Sequence, residues 1–180
     1  FVEYGGQFES EEEATRTVTL LSIVSIIAIL VVLYLEFGNF RQAILVMVNL
    51  PLALIGGIVS IFFTEGIISI ASLVGFITLF GIAVRNGILM VSHYNYLMDE
   101  EGKSLFDAVV QGSMERLSPI LMTAMTTGLA LVPLALAADK PGSELQSPMA
   151  IVILGGLITA TFLNLVVVPA LFMKWGRRPA

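Results

Sequence analysis

Long runs of apolar residues, separated by short polar segments, dominate the chain. A helix needs about 20 mostly apolar residues to cross a bilayer, and five runs reach that length. The runs lack the strict alternation of a β-strand, and irregular or open-edged structure cannot face lipid. The pattern therefore predicts an all-α membrane protein, a bundle of five transmembrane helices at about 15–36, 41–63, 67–97, 117–137 and 148–173.

The connection between the third and fourth runs differs from the others because it is longer and amphipathic. Apolar residues recur at helical spacing between its charges: Leu105, Ala108, Val109 and Met114. This spacing predicts a helix at about 103–116 that lies at the membrane interface. The remaining connections, at 36–41, 64–66 and 139–144, are short polar turns or loops.

Composition supports a membrane protein and excludes several other classes. The chain is 57% hydrophobic and 13% charged, whereas soluble domains are roughly half apolar and about a quarter charged. The net charge of −5 comes without a basic patch, which argues against binding to nucleic acid. With no cysteine and one histidine, the sequence predicts no metal site and no cofactor.

The distribution of basic residues predicts the orientation. With five spans, the N-terminus and the second and fourth connections share one side and hold Arg16 and Lys140. The opposite side holds six basic residues: Arg41, Lys103, Arg116, Lys174, Arg177 and Arg178. Because basic loops stay in the cytoplasm, we expect the N-terminus outside and the C-terminus inside.

Arg85 is the strongest candidate for a functional residue. It lies with Asn86 deep in the third run, where an arginine costs at least about 2.5–3.5 kcal/mol and usually faces a bundle interior or an acid. Thr78, Gly81 and Ser92 share its helical face. The stripe indicates an ion or proton path, and the plainer alternative is that Arg85 reaches the interface. Apart from Glu36 at the end of the first run, the five runs contain no acid, so we expect the partner of Arg85 in a part of a longer polypeptide not present here.

Other polar residues have both a functional and a structural interpretation. Thr123, Thr126 and Thr127 share one face of the fourth run, but intramembrane threonines commonly hydrogen-bond to their own backbone or across helices. Histidine side chains can change charge near neutrality, so a proton role is one interpretation of His93, but its place near the end of the third run favours an interfacial role. Packing is likewise the simpler role for Asn164 and for the eight methionines.

Two functional classes compete with a transporter on these residues alone. A membrane scaffold would hold partners together without transporting anything, but it has little reason to keep a cation in the bilayer. An intramembrane enzyme would need a nucleophile with a base, or paired metal ligands. One histidine, no cysteine and no intramembrane acid argue against an enzyme.

Several motifs together resemble the C-terminal membrane half of a resistance-nodulation-division (RND) efflux pump. They span the whole chain in order: residues 1–9, Tyr34-Leu-Glu-Phe-Gly-Asn-Phe-Arg41, Pro51-Leu-Ala-Leu-Ile-Gly-Gly57, Gly81-Ile-Ala-Val-Arg-Asn-Gly-Ile-Leu-Met90, Arg116-Leu-Ser-Pro-Ile-Leu-Met-Thr123 and Gly155-Gly-Leu-Ile-Thr-Ala-Thr161. The resemblance implies half of a twelve-helix, proton-driven antiporter of the bacterial inner membrane. Residues 81–94 and 141–149 are more similar to the heavy-metal branch than to the multidrug branch, which stays the alternative.

The resemblance also implies residue roles. Arg85 matches the basic residue that pairs with acids of the other half, Thr123 a relay threonine, and Arg116 an arginine at the cytoplasmic end of the same span. Asn86 and, from the polar stripe, Thr78 and Ser92 complete the expected proton relay, with Arg116, Thr127 and His93 as secondary candidates. Leu157 stands where some copper and silver exporters have methionine, which puts a methionine ladder in doubt.

The same resemblance implies the domains and the partners. Residues 1–14 would end a periplasmic domain, 15–175 would form the five-span domain, and 176–180 a cytoplasmic tail. The partners would be the N-terminal half of the same transporter, further copies in a homotrimer, a periplasmic adaptor, an outer-membrane channel, protons and the lipid bilayer.

Overall fold

The computed structural model describes residues 5–64, 68–137 and 142–176. Five helices fill these ranges: α1 (Gly5–Phe37), α2 (Phe40–Thr64), α3 (Ile70–Asp99), α4 (Leu105–Ala135) and α5 (Gln146–Trp175). Each is long and apolar enough to cross a membrane, so the predicted five-helix fold is confirmed. The expected periplasmic residues 1–4, parts of the turn at 64–66 and of the loop at 139–144, and the tail residues 177–180 lie outside the described residues.

Local sequence signals set the helix ends. Gly38 has a φ of +57°, a conformation that favours glycine, and its N–H donates to the Tyr34 carbonyl oxygen at 2.9 Å. This closes α1 and turns the chain into α2. Ser69 and Ser72 form a capping box at the start of α3, and the Ser104 hydroxyl accepts from the Asp107 N–H to cap α4.

α4 corrects one sequence-based expectation. The helix predicted at 103–116 and the fourth span predicted at 117–137 form one uninterrupted helix of 31 residues. The sequence at their junction has no glycine to end the helix. Pro119 is tolerated inside it, as Pro133 is. The position of the first half of α4 at a membrane interface stays a prediction.

α2, α3 and α5 form the core of the bundle. Within the most apolar 18-residue window of each helix, 44% of α2, 50% of α3 and 44% of α5 are buried, against 6% for α1 and α4. α5 packs against α2, α3 and α4, while α1 touches α2 and α3. Most of the surface of α1 and α4 is therefore free for lipid or for other protein.

Glycines allow the core helices to approach closely. A Cβ on Gly155 would lie 2.6 Å from the Gly56 carbonyl oxygen, and one on Gly57 would lie 2.7 Å from the Phe76 ring. Because the missing side chains let backbone meet backbone, α2 and α5 pack directly on each other. Gly81 is the exception, since it is exposed and nothing lies within 4 Å of a Cβ there.

The candidate proton relay and its surroundings

Arg85 lies on a face of α3 that the rest of the described chain leaves uncovered. Thr78, Gly81 and Leu89 on the same face are also exposed, and Ser92 is partly exposed. The described residues provide Arg85 with no ion pair and no hydrogen bond. The predicted stripe therefore lies on an exposed face of α3, with Leu89 between Arg85 and Ser92, and is open to a partner.

Asn86 lies on the buried side of α3 and not on the exposed face that holds Arg85. It is 6% exposed and belongs to the buried face of α3, next to Gly87, whose position faces Val46 of α2. Successive residues of a helix point about 100° apart, because the helix has 3.6 residues per turn. The structure thus separates Asn86 from Arg85, although the two are adjacent in sequence.

The threonine hydroxyls of the expected relay are engaged with their own helices. Thr123 Oγ1 donates to the Pro119 carbonyl oxygen at 2.8 Å, and Thr78 Oγ1 donates to the Val74 carbonyl oxygen at 3.0 Å. Thr127, the secondary candidate, is partly buried on α4. Each donating hydroxyl still has lone pairs with which it can accept a further hydrogen bond.

The two remaining secondary candidates lie at the end of the bundle that holds the α3–α4 connection. His93 Nε2 lies 2.6 Å from Glu115 Oε2, with the histidine side chain 16% exposed and the glutamate side chain 45% exposed. Arg116 is partly buried, and its Nε is buried without a hydrogen-bond partner among the described residues. His93 therefore joins α3 to α4.

Sequence analysis missed two pairs of amide side chains that join helices. Gln42 and Asn95 exchange two hydrogen bonds, at 3.0 and 3.1 Å. Asn49 Nδ2 donates to Asn164 Oδ1 at 2.7 Å in the interior. A usable signal was present, because each amide inside an apolar run needs a partner, but the sequence does not say which amide pairs with which.

No group of three or more metal-ligating histidine, cysteine, aspartate or glutamate residues occurs in 5–64, 68–137 or 142–176. Two of the eight methionines, Met90 and Met98, belong to the apolar core.

Comparison with known proteins identifies the family. The model of the AcrB/AcrD/AcrF family matches residues 1–176. Protein HelA of Legionella pneumophila is 42% identical over 179 residues, which are 99% of this chain and 17% of HelA. Nickel-cobalt-cadmium resistance protein NccA of Alcaligenes xylosoxydans xylosoxydans is 39% identical over 170 residues, which are 94% of this chain and 16% of NccA.

A solved structure agrees with these relatives. The crystal structure of a heavy metal efflux pump superimposes with a TM-score of 0.81 at 41% sequence identity, covering 94% of this chain and 16% of that one. The chain thus spans about a sixth of the length of the proteins it matches. Its motifs, its five apolar helices and these matches together show that the chain belongs to the AcrB/AcrD/AcrF family of RND efflux pumps.

Proposed function

We propose that this chain is part of a proton-driven RND transporter of the bacterial inner membrane that exports metal cations. Within it, the chain would supply the basic part of the proton relay. The observation that supports the proposal best is the uncovered, polar face of α3, with Arg85 at its centre and no anion near it among the described residues.

The energetics of Arg85 require a partner. A guanidinium within the bilayer is costly unless an anion and hydrogen bonds compensate it. A carboxylate from the other half of the transporter, placed about 4–6 Å away, would have its pKa lowered by about 1–3 units. When that carboxylate takes up a proton, the attraction to Arg85 disappears. The pairing therefore gives the transport cycle a trigger that responds to protons.

The neighbouring polar groups would extend the relay. Thr78 and Ser92 share the stripe with Arg85, and Thr123 supplies a hydroxyl from α4. Because Thr123 donates to its own backbone, its oxygen would act as an acceptor toward a guanidinium or a water. Asn86 would support the relay only indirectly, since it is buried between helices. Arg116, Thr127 and His93 stay secondary candidates.

The cargo that we propose is a divalent metal cation. NccA is named for resistance to nickel, cobalt and cadmium, and the matching crystal structure is that of a heavy metal efflux pump. Leu157, a buried apolar residue, offers no thioether for a soft monovalent ion. The cargo would be bound outside the described residues, which contain no cluster of metal-binding side chains.

The proposed assembly follows from the same family membership. The uncovered face of α3 would dock against the N-terminal half of the transporter, and complete subunits would form a homotrimer with a periplasmic adaptor and an outer-membrane channel. We propose that the N-terminus faces the periplasm and the C-terminus the cytoplasm, as the six-to-two excess of basic residues indicates.

The decisive experiment replaces Arg85 in the full-length transporter. Arg85→Ala should abolish metal resistance in a host without its own pumps, because the partner acid would stay protonated. Arg85→Lys should retain part of the resistance, because it keeps the charge but not the planar guanidinium. Leu89→Ala, on the same exposed face, is the matched control and should retain wild-type resistance.

All variants must be compared at equal expression and membrane insertion. Wild-type resistance from Arg85→Ala would show that Arg85 takes no part in proton coupling. Loss of resistance in Leu89→Ala as well would show that the assay reports the packing of this face and not its charge.

A further inference from the structure

Two adjacent residues of α3 bind α4 at the end that holds the α3–α4 connection. Tyr94 Oη lies 2.6 Å from Ser113 Oγ, and His93 Nε2 lies 2.6 Å from Glu115 Oε2. Gly112 allows the Tyr94 ring to come this close, because a Cβ there would lie 2.7 Å from the ring Cδ1. The two helices are therefore joined by one neutral hydrogen bond and by one hydrogen bond that becomes an ion pair when His93 is protonated.

Glu115 is held in place by a line of hydrogen bonds. Gln111 Nε2 donates to Glu115 Oε1 at 2.7 Å, and Lys103 Nζ donates to Gln111 Oε1 at 2.6 Å. Since His93 occupies the other carboxylate oxygen, both oxygens of Glu115 have partners. The carboxylate is therefore fixed toward the imidazole even though it is half exposed.

Among the described residues, Glu115 is the charged group that pairs with the His93 imidazole. α4 presents Glu115, and the α3–α4 connection presents Lys103, paired with Glu101 at 2.5 Å. α2 presents a neutral amide, Gln42, bound to Asn95. The His93 ring is also stacked on the Tyr96 ring, with centroids 6.3 Å apart and planes 7° from parallel. Glu115 is thus the charged group in direct contact with His93.

Protonation changes this contact in a defined direction. The neutral imidazole donates from Nε2 to the Glu115 carboxylate, and a second proton on Nδ1 turns the contact into an ion pair with a charge-assisted hydrogen bond. Histidine is the side chain that changes charge between about pH 5 and 8. A second proton on the imidazole therefore strengthens the contact, and its loss weakens the contact.

We propose that His93 and Glu115 form a proton-operated clasp between α3 and α4. These helices contain Arg85 and Thr123, so loss of the second imidazole proton would weaken the α3–α4 contact and let α4 move more readily relative to α3. The functional part of this inference rests on the proposed proton-driven transport. The clasp itself is a property of the α3–α4 contact and can be tested without transport.

The test measures amide hydrogen exchange of residues 109–116 in the full-length transporter in lipid nanodiscs, at pD 6 and pD 8. The rates are first corrected for the pD dependence of chemical exchange. Protection in the wild type should then be about threefold greater at pD 6 than at pD 8, because a charged hydrogen bond of a half-exposed pair is only modestly stronger than a neutral one. Glu115→Gln keeps the shape but removes the charge, and His93→Gln removes the titrating ring. In both variants, the ratio of protection at pD 6 to protection at pD 8 should fall to one.

Tyr94→Phe is the matched control, because it removes the neighbouring neutral bond. It should lower protection equally at both pD values and leave the ratio unchanged. A wild-type ratio of one, or a threefold ratio that persists in Glu115→Gln, would overturn the clasp. Glu115→Gln matters as the second variant, because it tests the idea even when His93→Gln folds poorly.

A transport assay on the same samples separates the clasp from the proposed function. If the clasp couples to transport, Glu115→Gln should flatten the pH profile of metal uptake into inverted vesicles while Arg85→Ala abolishes uptake. A retained exchange ratio in Arg85→Ala with no transport in the wild type would leave the clasp standing and refute the proposed function. A wild-type ratio of one between protection at pD 6 and at pD 8, together with transport that depends on Arg85, would refute the clasp and leave the proposed function standing.

Discussion

The contact between α2 and α5 gives the sharpest quantitative prediction, because it depends on two glycines facing each other. A Cβ built on Gly155 lies 2.6 Å from the Gly56 carbonyl oxygen, whereas ordinary contacts begin at 3.4 Å. The same Cβ overlaps the Ser60 hydroxyl, which donates to the Gly56 carbonyl oxygen at 2.9 Å. Rotating Ser60 away would break that bond and leave the backbone clash in place.

Gly155→Ala should therefore force the helices apart by the missing 0.8 Å, the difference between 3.4 and 2.6 Å. A gap of about 0.5–1 Å removes a quarter to a half of the dispersion energy at each contact. Overpacking costs about 1–3 kcal/mol, and alanine regains up to about 1 kcal/mol of helix propensity over glycine. The net expectation is a loss of about 1–2 kcal/mol in the free energy of unfolding.

Gly128→Ala is the matched control for the same chemical change. A Cβ there would lie 3.9 Å from Leu154 Cδ2, an ordinary contact, so this variant should be neutral or stabilised by up to about 1 kcal/mol. Unfolding of the purified protein in mixed micelles of rising SDS fraction, followed by circular dichroism, ranks the variants. A midpoint for Gly155→Ala equal to or above that of Gly128→Ala would refute the argument from close backbone contact.

Two further predictions concern the buried amides and the orientation. Asn164→Leu should lose about 1 kcal/mol by leaving the Asn49 amide unpaired, and Asn49→Leu combined with Asn164→Leu should recover part of the loss; the same SDS titration checks this, and simple additivity would contradict it. Topology reporters fused after Ala138 and after Ala180 should report the periplasm and the cytoplasm, respectively, and a cytoplasmic signal at both positions would contradict the five-span orientation.

The number and the length of the helices could be predicted because both follow from local sequence. A bilayer requires about 20 apolar residues, and the turn at Gly38 and the caps at Ser69 and Ser104 depend on their immediate neighbours. The exposed stripe around Arg85 was likewise visible as helical spacing. The continuity of α4 was missed because amphipathic and fully apolar segments look like separate elements, although one helix can contain both.

The pairings between helices could not be predicted, because they depend on which faces meet. His93 and Glu115 are 22 positions apart in the sequence, and Gln42 and Asn95 are 53 positions apart. The separation of Asn86 from Arg85 also required knowing which side of α3 is buried. Tertiary packing, and not local propensity, determines these features.

The hydrogen bond between Asn49 and Asn164 has a consequence for biosynthesis. The two residues are 115 positions apart, so at about 5–20 residues per second the ribosome adds the second one about 6 to 23 s after the first. During that interval α2 has been synthesised but α5 has not, and the Asn49 amide lacks its hydrogen-bond partner Asn164. The Asn49 side chain therefore spends several seconds without this partner, and the contact between α2 and α5 forms only after α5 has been made.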